Sequence, residues 1–272
     1  MGTHLRPDAL EVLFEDNHLL VVHKPAGVLA QADASGDPSL QDTAKAWIKQ
    51  HYDRPGDVFV GIVHRLDRPV SGVVILARTS KAAARLSAAF RDRKVEKRYL
   101  AVVLGGPKAD SGDLIGRVAH AGTGASSRVL AAEAVDGKAA VLAWQVRGRQ
   151  NGYVLLEVRP TTGRRHQIRA QLAEAGWPIL GDLRYGAPAP LADRRVALHA
   201  LAIRFPHPTR DEIIEVEAPL PPGWPWPPPT SSRHQPAAPV RPSPPRSSTR
   251  RTSPGRRDAG PAGRAGSRGR AR

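Results

Sequence analysis

The sequence predicts an α+β protein whose mixed, mainly antiparallel sheet carries flanking helices. Apolar, β-branched runs of strand length outnumber the helical patterns, and the two do not alternate as a doubly wound fold requires. Neither a GxxxxGK[ST] phosphate loop nor a GxGxxG dinucleotide fingerprint occurs.

Taken in order, residues 12–14 and 19–23 are short apolar runs around the turn-forming pair Asp16-Asn17, which predicts a hairpin or two short strands. Lys24-Pro25-Ala26-Gly27 follows as a loop. Residues 41–51 carry apolar side chains at helical spacing around Trp47. Residues 58–63 and 73–77 are short enough to be buried strands. Thr79-Ser80 supplies an N-cap for a helix to Arg91, with Ala83, Leu86 and Phe90 on one face. Residues 99–104, 141–146 and 153–158 are further strands. A helix over 166–174 ends at Gly176, with Pro178 just beyond.

Composition sets the outer bounds. The 272 residues are 40% apolar, enough for one domain of about 200 residues or two small ones. No apolar run reaches the roughly 18 to 20 residues that a membrane helix needs. Residues 1–13 lack a signal-peptide pattern, and the absence of cysteine excludes disulfide scaffolds, thiolate nucleophiles and Cys-ligated metals. A cytoplasmic protein is expected. The formal charge of +16 points to a polyanion partner, most simply nucleic acid.

That charge divides the chain. Residues 223–272 hold eleven arginines against one acid, Asp258, together with many Pro, Ser and Gly and no Ile, Leu, Phe or Tyr. Such a segment cannot bury enough apolar surface to offset its ordering entropy, so it reads as a disordered basic tail. Its Pro-Trp run over 221–229 marks the edge of a folded domain at 1–222. The tail suits loose electrostatic contact with nucleic acid, or is a solvated extension without a role.

Two loops carry the chemistry. His64-Arg65-Leu66-Asp67-Arg68-Pro69-Val70-Ser71-Gly72 joins two apolar strands, with Pro69 and Gly72 fixing the turn, so Asp67 is held on a backbone anchored at both ends. Taken alone it is equally an ordinary surface ion-pair loop. His64 and Asp67 lack a third ligand at a recognisable spacing, and there is no HExxH, so no metal is expected. The order of residues also differs from a kinase catalytic loop. The second loop, residues 159–169, gathers Arg159, Arg164, Arg165 and Arg169 with Gln167 between a strand and a helix start, a setting that favours phosphates and can lock a carboxylate.

His64-Arg65-Leu66-Asp67 with Ser71-Gly72, Lys97-Arg98-Tyr99-Leu100-Ala101, residues 163–169, Gly181-Asp182 with Tyr185-Gly186, and Leu198-His199-Ala200 with His207-Pro208 together resemble the RluA family of RNA pseudouridine synthases. The likeness runs in order over about residues 10–222, and Val22-His23-Lys24-Pro25-Ala26-Gly27 resembles the family's opening strand and loop. Val70 and Arg165 stand where many members have Thr. The resemblance implies the pseudouridine synthase fold in a single catalytic domain with no S4 domain ahead of it. It implies isomerisation of a uridine in rRNA or tRNA, with no cofactor because the reaction is redox-neutral. Asp67 is then the essential catalytic residue. Arg164 is the cation that holds it ionised and aimed, and Tyr99 stacks on the uracil and serves as a proton acceptor or relay. Arg65 fills the gap left by the extruded base, and His64, Arg165, Gln167, Ile168 and Arg169 complete the substrate-binding set. On the residues alone, His64 and His166 are structural hydrogen-bonding groups, Ile168 is core or pocket wall, and Asp182 caps or turns the backbone. A monomer is the default state. A non-catalytic RNA-binding or ribosome-assembly protein of the same fold, and a DNA-associated protein dominated by its tail, are the other readings.

Overall fold

The computed structural model describes residues 5–120 and 127–226. The predicted hairpin forms from β1 (Glu11–Glu15) and β2 (Leu19–Lys24), paired antiparallel. Asp16 shapes its turn by accepting the backbone N–H groups of His18 and Leu19, both at 2.7 Å. Helix α1 (Leu40–His51) starts from a capping box between Ser39 and Asp42. Strands β3 (Gly61–Ile62) and β4 (Ser71–Ala77) precede α2 (Ser80–Arg91), whose N-cap Thr79 accepts the Ala82 N–H. Then follow β5 (Glu96–Leu104), β6 (Ser111–His120), β7 (Ser127–Leu130), β8 (Lys138–Gln150), β9 (Tyr153–Pro160), α3 (Gln167–Glu174), β10 (Leu198–Pro206) and β11 (Ile213–Glu217).

The eleven strands of the described residues join one sheet, in the order β1-β2-β4-β10-β5-β9-β8-β6-β7, with β11 on β10 and β3 on β4. The β4–β10 ladder is parallel and the other ladders between these strands are antiparallel. β2 and β4 are buried along their whole lengths, which explains their unbroken apolar runs. Leu40, Ala44 and Ile48 of α1 and Ala82, Leu86 and Ala89 of α2 close over the sheet in one continuous core. At the parallel ladder Gly72 has φ +125°, and a Cβ there would collide with the backbone of Ala200. Only glycine lets β4 and β10 meet at the base of the Asp67 loop.

Three expectations change. The strand expected over 58–63 contracts to Gly61–Ile62, because only those residues find a partner, at Ala77 and Leu76. Strands β6, β7, β10 and β11 carry no clear strand pattern. In β6, Gly112 packs under the Trp144 ring and Gly116 against the Leu130 carbonyl, so the usual alternation is broken for steric reasons. Packed structure also continues past Pro222, since Trp224 and Trp226 lie on the core, Trp226 over Gly148 of β8. The remainder of the basic tail, 227–272, lies outside the described residues.

Candidate active site

The loop between β3 and β4 is tied down at several points. The Gly27 N–H donates to the Arg68 carbonyl at 2.7 Å, and Arg68 Nε returns a bond to the Gly27 carbonyl at 3.0 Å. Fully buried Lys24 donates Nζ to the carbonyls of Pro25, Val28 and Arg68, so the Lys24-Pro25-Ala26-Gly27 loop clamps the residue after Asp67. Burial pulls the Lys24 ammonium down to about 7; Asp67 opposes this and Arg68 adds to it. On the other side the Val196 N–H holds the Pro69 carbonyl at 3.2 Å. Asp67 therefore projects from a backbone fixed on both flanks.

The cation facing Asp67 is Arg169, not Arg164. Arg169 Nη1 donates to Asp67 Oδ2 at 3.0 Å, while its Nε and Nη2 fork onto both oxygens of Asp182 at 2.7 and 2.8 Å. The side chains of Asp182 and Arg169 are only 1% and 6% exposed. Burial works against the guanidinium charge, but Asp182 and Asp67 outweigh it and raise its pKa further above the ordinary value. Asp182 is thus a buried counter-ion as well as a turn residue, with its carbonyl taking the Tyr185 and Ala187 N–H groups. Arg164 instead sends Nε to the Ala139 carbonyl at 3.0 Å. The reason lies in the start of α3. His166 takes a left-handed conformation (φ 55°) and Gln167 Oε1 accepts the Arg164 N–H, so the helix begins after Arg164 and its third residue, Arg169, turns inward.

The other predicted residues separate into two groups. His64 and Gln167 are structural. His64 Nε2 accepts the Ile75 N–H at 2.9 Å and the ring stacks on Phe90; burial, then the charge of Lys97, lowers its pKa to about 3. Gln167 spends its amide on Thr162, the Arg164 N–H and the Val141 carbonyl. These bonds tie both side chains into the fold at the border of the cavity, which both of them line. Asp67, Tyr99, Arg65, Arg164, Arg165, Ile168 and Arg169 line one cavity of 610 Å³, roomy enough for a nucleotide. Burial and the negative charge of Asp67 raise the Tyr99 pKa well above the ordinary phenol value. Burial and Asp67 thus favour the protonated phenol, which can still pass on a proton as well as offer its ring face.

Sequence reading missed several neighbours. His166 Nδ1 lies 2.9 Å from the Tyr185 hydroxyl, and its Nε2 is 3.8 Å from Asp67 Oδ1. Burial and the charges of Arg169, Arg165 and Arg184 lower its pKa against the pull of Asp67, so a neutral ring faces the carboxylate. The Tyr185 ring lies under the Arg169 guanidinium at 5.0 Å. Lys97 donates to the Thr162 carbonyl, and burial lowers it to about 8. Arg91, at the end of α2, and Arg93, in the turn after it, also line the cavity. Among the described residues no three His, Asp or Glu side chains gather as a metal site.

This cavity, with one carboxylate among many cations, sits within a stretch that matches a known family. A family model described as RNA pseudouridylate synthase covers residues 18–174, more than half of the chain. The chain belongs to the RNA pseudouridylate synthase family. The ribosomal large subunit pseudouridine synthase D of Xanthomonas campestris pv. campestris is 35% identical over 238 residues, covering 80% of this chain and 69% of that protein. The uncharacterized RNA pseudouridine synthase YhcT of Bacillus subtilis is 33% identical over 78% of this chain and 69% of its own. The solved structure of human RNA pseudouridylate synthase domain containing 1 superposes with a TM-score of 0.65 at 26% identity, covering 81% of this chain and 87% of that one. That of human RNA pseudouridylate synthase domain containing 4 gives 0.67 at 24% identity, covering 80% and 92%, and shows the shared fold. The chain is an RNA pseudouridine synthase, an isomerase acting on RNA, and this reading prevails over a non-catalytic RNA-binding protein of the same fold. No helix of the described residues is long and apolar enough to cross a membrane.

Proposed function

We propose that this synthase acts as a monomer in the cytoplasm on ribosomal RNA of the large subunit, and that Asp67 is its reacting carboxylate. The observation that carries the site assignment is the chain Asp182–Arg169–Asp67. A buried guanidinium, seated by one carboxylate, presents an Nη1 N–H to a second carboxylate that lines the cavity. Ribosomal RNA is the favoured substrate because several of the relatives at 32–35% identity are named for the large ribosomal subunit. Transfer RNA finds no such support among them.

In the reaction the bond from uracil N1 to ribose C1′ breaks and one from C5 to the same carbon forms. N1 gains a proton and C5 loses one. A stacked base hides its glycosidic bond, so the nucleotide is extruded into the cavity at a cost of a few kcal/mol that binding supplies. Arg65, exposed at the rim, fills the vacated place in the RNA. The Tyr99 ring and Ile168 bracket the uracil, and Asp67, held by Arg169, acts on the ribose. Arg164 and Arg165 contact phosphates at the rim. The test is chemical mapping of pseudouridine in large-subunit ribosomal RNA transcribed in vitro and incubated with the protein. New pseudouridine at defined positions is expected; conversion confined to transfer RNA overturns the substrate assignment.

A further inference from the structure

Helix α2 ends in a Schellman closure. The Lys94 N–H reaches back to the Ala89 carbonyl at 2.9 Å and the Arg93 N–H to the Phe90 carbonyl at 3.3 Å. The residue at the Arg93 position of this motif must be left-handed, and Arg93 has φ +58°. Glycine is the usual occupant because a Cβ is disfavoured there. The other two α-helices of the described residues close in the same way on residues that tolerate this conformation better, α3 with Gly176 at φ +81° and α1 with the short polar Asp53 at φ +45°. A long cationic side chain at a glycine position is a local conflict of the kind that persists where the side chain serves a purpose.

The surroundings indicate that purpose. Arg93 is exposed, has no ion-pair partner among the described residues, and lines the same cavity as Asp67. Arg91 lines it too, with its nearest acid, Asp92, at 4.0 Å. Arg65, Lys97, Arg164, Arg165 and Arg169 supply further cations, and Asp67 is the only acid in the lining. Asp67 and Asp182 are already engaged by Arg169, so neither draws Arg93 inward.

We propose that Arg93 is a phosphate-binding residue, through which the turn between α2 and β5 grips the RNA backbone beside the extruded uridine. The proposal rests on the reading of this cavity as the uridine site. It separates two properties that usually move together. Replacing Arg93 by glycine relieves the backbone and so preserves or raises thermal stability, while it removes a charge-assisted contact to RNA.

The test uses the full chain and large-subunit ribosomal RNA transcribed in vitro, comparing wild type, Arg93→Gly and Arg93→Lys. Arg93→Gly is expected to melt at or above the wild-type temperature and to bind RNA about tenfold more weakly. The slope of log K against log salt becomes shallower by about one, and Arg93→Lys restores most of the affinity and the slope. Wild-type affinity and slope in Arg93→Gly overturn the proposal, as does a lower melting temperature, which would assign the side chain to the fold. Pseudouridine formation by the wild type on the same RNA reports the underlying reading separately. With conversion intact and Arg93→Gly binding normally, only the phosphate contact falls; with no conversion of either ribosomal or transfer RNA, the site reading falls and takes the proposal with it.

Discussion

Replacing Asp182 by asparagine exchanges one carboxylate oxygen for an amide group with almost no change of shape. In the native site both oxygens of Asp182 receive N–H groups of Arg169, at 2.7 and 2.8 Å, in a place closed to water. In Asp182→Asn one of those contacts becomes N–H against N–H, and the buried guanidinium loses its principal counter-charge. Removing one partner from a buried ion pair costs about 3–5 kcal/mol. Asp67 still accepts from Nη1 at 3.0 Å, so the guanidinium is not left bare and the loss falls near the lower end, about 3 kcal/mol. Pulled by Asp67 alone, Arg169 leaves its seat and Asp67 moves with it. A displacement of about 1 Å in such a positioning group lowers turnover on the order of 10²-fold. Urea denaturation reads the first effect, and the rate of uridine conversion at saturating RNA reads the second. Wild-type stability together with wild-type turnover in Asp182→Asn refutes the reasoning. Lost stability with unchanged turnover refutes the claim that Asp182 aims Arg169 at Asp67.

Three further predictions follow from the same geometry. Arg164→Ala, at the rim, weakens RNA binding severalfold but leaves turnover at saturating RNA nearly intact, whereas Arg169→Lys, which cannot fork between two carboxylates, lowers it on the order of 10²-fold; equal losses in rate from both would contradict the exchange of roles. Lys24 has a pKa of about 7 when folded against 10.5 in the free side chain, so between those values the unfolded chain binds more protons and stability contributed by this group rises with pH. Urea midpoints therefore increase from about pH 7 to about pH 9.5, with Lys97 acting in the same sense, and the increase is smaller in Lys24→Met; a variant with an undiminished increase contradicts the assignment. Ending the chain after Trp226 removes most of the basic tail but keeps the packed tryptophans, so RNA affinity falls and its salt dependence flattens while turnover at saturating RNA is unchanged. Loss of all turnover would contradict that separation.

Local signals made much of the fold legible. The Asp16 turn, the Thr79 cap and the Gly176 stop are short-range devices, and the hairpin, α2 and α3 follow from them closely, while α1 follows from the apolar spacing around Trp47. Strands that depend on distant partners were not legible. β3 exists only where β4 receives it, and in β6 glycines give way to the Trp144 ring and the Leu130 backbone. The site divides in the same way. Asp67 was visible through the resemblance that His64-Arg65-Leu66-Asp67 carries with the later motifs, since its anchored loop alone reads equally as a surface ion-pair loop. The choice between Arg164 and Arg169 was not visible, because it depends on where α3 begins, and a left-handed His166 decides that. The structure shows what the sequence hid: Gln167, Arg169 and Gln171 of α3 are all buried, and the buried arginine is matched by the buried acid Asp182.

The Asp67 carboxylate, presented by Arg169, is the group proposed to perform the isomerisation. Asp67→Asn keeps the side-chain shape and an acceptor for Arg169 Nη1 but removes the charge that acts on the ribose. Conversion by this variant should be measured over long incubations at enzyme concentrations above that of the RNA, alongside its RNA affinity. The account predicts no pseudouridine above background with RNA affinity within a few-fold of wild type; measurable conversion by Asp67→Asn would contradict it.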